Sequence, residues 1–106
     1  MKGSRILVDH EGRSVRLTDE RSIHILGHPE MKGMEGEIAT TLGNPQVVVQ
    51  SRTDSNARIH HRQLPETRFG AKWLAVVSIV RGDDAFVVTA YLTDKPKRGT
   101  VLWPSE

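Results

Sequence analysis

Cysteine is missing altogether from these 106 residues. That removes disulfide bridges, a thiol nucleophile and thiolate zinc ligands from consideration, and it fits a reducing, cytoplasmic setting. Aromatic residues are scarce, at 5%. Phe69, Trp73, Phe86, Tyr91 and Trp103 fall mostly in apolar runs, so an extended base-stacking platform is not expected. No stretch approaches the roughly 18 apolar residues of a membrane span. The start, Met1 to Asp9, reads as a strand and not as a signal with a long apolar core. There is no Gly-rich phosphate loop, because Gly33 and Gly36 flank helix-like sequence and do not follow a strand. A Gly-x-Ser-x-Gly elbow is also absent, which argues against hydrolase chemistry at serine. Repeats, low-complexity tracts and linkers are not visible. One soluble intracellular domain, 1–106, with no membrane partner, is the expectation.

What is present is a globular composition, with 37% apolar and 26% charged residues, so disorder is not indicated. Net charge is only +2, but it is unevenly placed. Between positions 52 and 72, Arg52, Arg58, Arg62, Arg68 and Lys72 face only Asp54 and Glu66, with His60 and His61 in addition. A local positive patch attracts phosphate even on a nearly neutral chain.

Ile6–Val8 and Ser14–Leu17 read as two short strands, with turn chemistry at Glu11-Gly12 between them. Thr18 is a good N-cap, followed by Asp19 and Glu20 in a first helical turn. Gly27, and His28 before Pro29, end that helix near residue 27. Met31, Met34, Ile38 and Leu42 recur at spacings of three, four and four, which predicts a second helix over about 34–42. Gly43-Asn44-Pro45 stops it. The period then changes to strand-like runs: Val47–Val49, Ala57–His61, Trp73–Val80 and Phe86 onward, with a hairpin signal at Arg81-Gly-Asp-Asp84. Thr100–Trp103 adds a last short strand. The predicted architecture is α+β, with N-terminal helices packed on one face of an antiparallel sheet of about four strands.

The chemistry-bearing segment is His24-Ile-Leu-Gly-His28-Pro29-Glu30. Four-residue spacing on a helix brings both imidazoles to one face, and histidine is the side chain suited to proton exchange near neutrality. In Ala57–Arg62, Arg58, His60 and Arg62 alternate onto one strand face, while Ile59 and His61 face the other way. Thr89 and Tyr91 share a face and offer two hydroxyls. Metal-free RNA cleavage uses the 2′-hydroxyl as nucleophile and needs a base, an acid and cations for the phosphorane. His28, His24 and Thr89 are therefore the candidate catalytic residues. Arg52, Arg58, His60, Arg62 and Tyr91 are the candidate substrate contacts. The His24/His28 spacing also suits a metal, completed by Glu30, His60 or His61, but no His-Glu-x-x-His pattern supports it. No metal and no cofactor are expected.

These segments, with Thr40–Pro45, Val87–Tyr91 and Gly99-x-x-Leu-Trp103, resemble in order a phage-borne nuclease-like family. It belongs to the grouping of barnase, EndoU, colicin-type and RelE-like ribonucleases, and the resemblance spans roughly 18–103. It implies helices on a four-stranded antiparallel sheet and metal-independent cleavage of RNA. It places the helix-region histidine on His28, with His24 beside it, the strand hydroxyl on Thr89, and the basic contribution on Arg52 or the Arg58–Arg62 strand. It further implies RNA as partner, toxin or defence roles, and an inhibitor or antitoxin protein. The rival expectation is a non-catalytic module that binds RNA or a protein on the same scaffold.

Overall fold

The structure, a computed structural model, describes residues 3–104. Met1 and Lys2, at the strand-like start, lie outside the described residues. Strands β1 (Ser4–Val8) and β2 (Ser14–Thr18) form the predicted antiparallel hairpin. Gly12 turns its tip at φ 82°, a conformation that favours glycine. Thr18 caps helix α1 (Asp19–Leu26), its hydroxyl accepting the Arg21 N–H at 3.2 Å. A 3₁₀ turn over Pro29–Met31 leads to helix α2 (Glu35–Gly43). The apolar stripe faces inward as its spacing predicts: Met31, Ile38 and Leu42 are buried and Met34 packs against them.

Strands β3 (Val47–Gln50), β4 (Ala57–Thr67), β5 (Gly70–Arg81) and β6 (Asp84–Thr93) follow as an antiparallel meander. β7 (Thr100–Trp103) then pairs antiparallel with β3. The whole sheet runs β1-β2-β6-β5-β4-β3-β7. The expected four-stranded antiparallel sheet of barnase or RelE type is thus corrected. Among the described residues the sheet is seven-stranded and mixed, with 50% of them in strand and 20% in helix. The meander's two open edges explain the difference. An unpaired strand edge offers a row of free N–H and C=O groups, and here β7 fills one edge and the hairpin fills the other. β2 meets β6 in parallel at Arg16 and Phe86. A parallel contact involves no tight turn, so no local sequence signal announces it.

Register fixes which side chains share a face. Trp103, Val48, His60, Val76 and Ala90 are paired in succession across the sheet, as are Val47, His61, Ala75 and Tyr91 on the opposite face. The helices cover the first face. The core there joins Ile25, Ile38 and Leu42 of the helices to Leu74, Val76 and Val87 of the sheet. Leu7, Val15 and Leu17 of the hairpin belong to that same core. The hairpin therefore curls over the helix-side face instead of extending flat from β6. Its tip lands on β3 and β4, where Glu11 accepts a hydrogen bond from Arg58 at 3.0 Å. A smaller cluster of Val49, Ile59 and Ala75, with Val47, Val77 and Tyr91, lies on the other face.

Candidate functional site

α1 ends at Gly27, and the residue before a proline leaves helical geometry, so His28 takes an extended conformation and caps the 3₁₀ turn. His24 and His28 nevertheless stay together, their rings edge to face at 5.5 Å. Both are exposed. Glu30 Oε1 stands 4.0 Å from His28 Nδ1. The turn between β4 and β5 comes up beside them, and the Arg68 guanidinium donates to the Pro29 carbonyl at 3.2 Å. Phe69, 54% exposed, carries the Arg68 guanidinium 5.9 Å from its ring centre. A concavity of about 220 Å³ lies between Glu30, Phe69, Lys72 and Leu92. Lys72 hydrogen-bonds Asp94 and holds that exposed carboxyl below its ordinary range.

The other sequence-derived residues are not gathered there. Arg58 sits at the opposite end of β4, ten residues from Arg68, which is about 30 Å along an extended strand. Arg62 donates to the Asn44 carbonyl at 3.0 Å, and Arg52 is exposed in the loop before β4. His60 is fully buried, 0% exposed, beneath the hairpin tip, so it is no surface contact. Thr89 and Tyr91 do share a face, but it is the face opposite the helices. There burial raises the Tyr91 hydroxyl above its ordinary range, and Lys97 Nζ lies 5.5 Å from the ring centre. Of the suggested metal set, His24, His28 and Glu30 stay near one another, whereas His60 and His61 are buried in the sheet away from them.

A second constellation, absent from the sequence-based expectation, forms under the hairpin tip. Asp9 is buried and shapes the turn: Oδ1 accepts the Glu11 and Arg13 N–H groups, each at 2.9 Å, and Oδ2 accepts from the Arg13 guanidinium at 2.7 Å. Burial alone would raise its carboxyl, but these donors outweigh it and hold Asp9 below the ordinary range. His10 packs edge-on to His60 at 5.4 Å and against Trp103 at 5.3 Å. His60 Nδ1 lies 3.4 Å from the Val76 carbonyl, which can only accept, so Nδ1 carries the proton. His60 Nε2 and His10 Nδ1 are both buried with no hydrogen-bond partner among the described residues. Leaving such a nitrogen unpaired costs about 1–3 kcal/mol. Burial, then the neighbouring His10, push the His60 imidazolium down to about 4. A cleft of about 260 Å³, lined by His10, Glu11, Val48, Arg58, Leu102 and Trp103, opens beside the pair. Asp9-His10-Glu11 offers three ligand types in a row, which was a visible signal. Its link to His60 is tertiary and was not.

Among the described residues no helix is long and apolar enough to cross a membrane. No protein family, no curated protein and no solved structure matches the chain.

Proposed function

We propose that this chain is a small metal-independent endoribonuclease of the cytoplasm, acting at the His24–His28 end of the sheet. One observation carries the reading. Arg68 is anchored on the Pro29 carbonyl, which lies in the chain between the imidazole of His28 and the carboxylate of Glu30. Two exposed imidazoles, a carboxylate and a guanidinium thus occupy one patch, with Lys72 and Phe69 across a shallow concavity. The 2′-hydroxyl of RNA loses its proton to one group as its oxygen attacks phosphorus. Another group protonates the departing 5′-oxygen. His28 and His24 divide that proton transfer, Arg68 and Lys72 face the phosphorane charge, and Phe69 offers a base a surface for stacking. The products are a 2′,3′-cyclic phosphate and a free 5′-hydroxyl. Thr89, on the far face of the sheet, takes no part in this scheme.

The test is cleavage of a mixed-sequence RNA in excess EDTA. His28→Ala is expected to lose roughly 10²–10⁴-fold in rate, and Arg58→Ala, at the far end of β4, to cut like wild type. Undiminished cleavage by His28→Ala would move the chemistry elsewhere. Salt-dependent RNA binding by wild type with no product would refute the enzyme and leave an RNA-binding module.

A further inference from the structure

We infer that Asp9, His10 and His60 form a binding site for a divalent transition-metal ion of the zinc type. The site lies under the hairpin tip, at the opposite end of β4 from the proposed ribonuclease patch, and goes beyond that reading.

Three donor atoms, one from each residue, all lie within 4.8 Å of one another. Ligands on a tetrahedral ion with bonds of about 2.0–2.1 Å sit roughly 3.4 Å apart, so a small inward adjustment closes the set. Two of these three residues are unusual in their surroundings. His60 is 0% exposed, yet among the described residues its Nε2 has no hydrogen-bond partner, and the buried Nδ1 of half-buried His10 has none either. Buried polar atoms are nearly always paired, and an orphan pair on adjacent rings calls for a shared partner. A hydrogen bond between the two nitrogens does not supply it, since none is formed in this arrangement.

The supporting contacts are those a metal site uses. A ligating histidine donates its other ring N–H to a carbonyl or carboxylate, which fixes the tautomer and aims the free lone pair. His60 does this through Nδ1 and the Val76 carbonyl. Asp9 is held in place by two backbone N–H groups on Oδ1 and the Arg13 guanidinium on Oδ2, which leaves Oδ2 one further acceptor site. Two imidazoles with one carboxylate favour zinc-like ions over magnesium or calcium, which prefer all-oxygen shells. The cleft between His10, Arg58 and Trp103 provides an entry path and room for a fourth, exchangeable ligand.

The experiment uses chain stripped with chelator and titrated with Zn²⁺ by calorimetry, then with Co²⁺ followed by its visible absorption. One ion per chain is expected, with the intense bands of a four-coordinate site. His10→Ala, at the half-exposed turn where folding is least at risk, is expected to weaken binding at least tenfold. His60→Gln is expected to do the same, with circular dichroism confirming its fold. His24→Ala/His28→Ala is expected to bind metal like wild type. Absence of stoichiometric binding by wild type would overturn the site, as would binding that survives His10→Ala or disappears with the His24/His28 double variant. None of these readouts depends on RNA cleavage, so either idea can fail alone.

Discussion

His60 and His61 are neighbours in the chain and end in opposite chemical situations, because a strand sends successive side chains to opposite faces. His61 is satisfied at both nitrogens: Nδ1 faces the Val47 carbonyl at 3.2 Å, and Nε2 accepts the Lys97 N–H at 3.0 Å. It thereby pins the segment before β7 to the sheet. Burial holds its imidazolium below the ordinary range as well. His60 has one partner and one bare nitrogen, and its imidazolium is pushed down from 6.5 to about 4. In the fold it is neutral, while the unfolded chain takes up a proton near 6.5. Between those values the unfolded state binds more protons, so stability falls as pH drops through that interval and is unaffected above it. The full loss is on the order of 3 kcal/mol. Urea unfolding of metal-free protein across the interval should show the decline, and His60→Gln should flatten much of it. An equal decline in the variant would assign the effect to other groups. The alternation of these histidines is legible in Ala57–Arg62. The bare nitrogen is not, since only the packed neighbours decide it.

Elements were the most legible level, because their signals are local. The Thr18 cap, the Met31–Leu42 stripe and the Arg81–Asp84 turn all act within a few residues and form as read. β7 shows where local reading stops. A Cβ on Gly99 would stand 2.2 Å from the Gln50 carbonyl oxygen, an impossible approach to backbone. Glycine there lets β7 enter against β3 and brings Trp103 over the cleft. Gly99→Ala should push β7 outward and cost about 1–3 kcal/mol. In a Trp73→Phe background, Trp103 emission should shift to the red, and unfolding followed by that emission gives the stability. Unchanged emission and stability would mean that the strand entry can yield at no cost.

At the scale of the molecule, the seam between hairpin and meander is the decisive join. Only Arg16 and Phe86 pair across it. Arg16 reinforces it with a forked pair to Asp84, at 2.8 and 2.9 Å, and lies over the Phe86 ring at 5.5 Å. Both partners are solvent-facing, so the pair is worth at most about 1 kcal/mol. Arg16→Ala should therefore leave global stability nearly intact while speeding amide exchange in β1 and β2. Exchange unchanged there would show that Leu7, Val15 and Leu17 hold the hairpin alone. By itself, the sequence determined the helices, the strands, their turns and the pairing of His24 with His28, since each depends on period, caps and chain stiffness within a few residues. Only the tertiary structure decided that the sheet has seven strands, that Arg68 comes beside Pro29, and that the hairpin tip sets His10 on His60. Those contacts join residues as distant in the chain as Arg16 and Phe86, and they follow from burying one apolar face, an energy that belongs to the assembled layers and not to any segment.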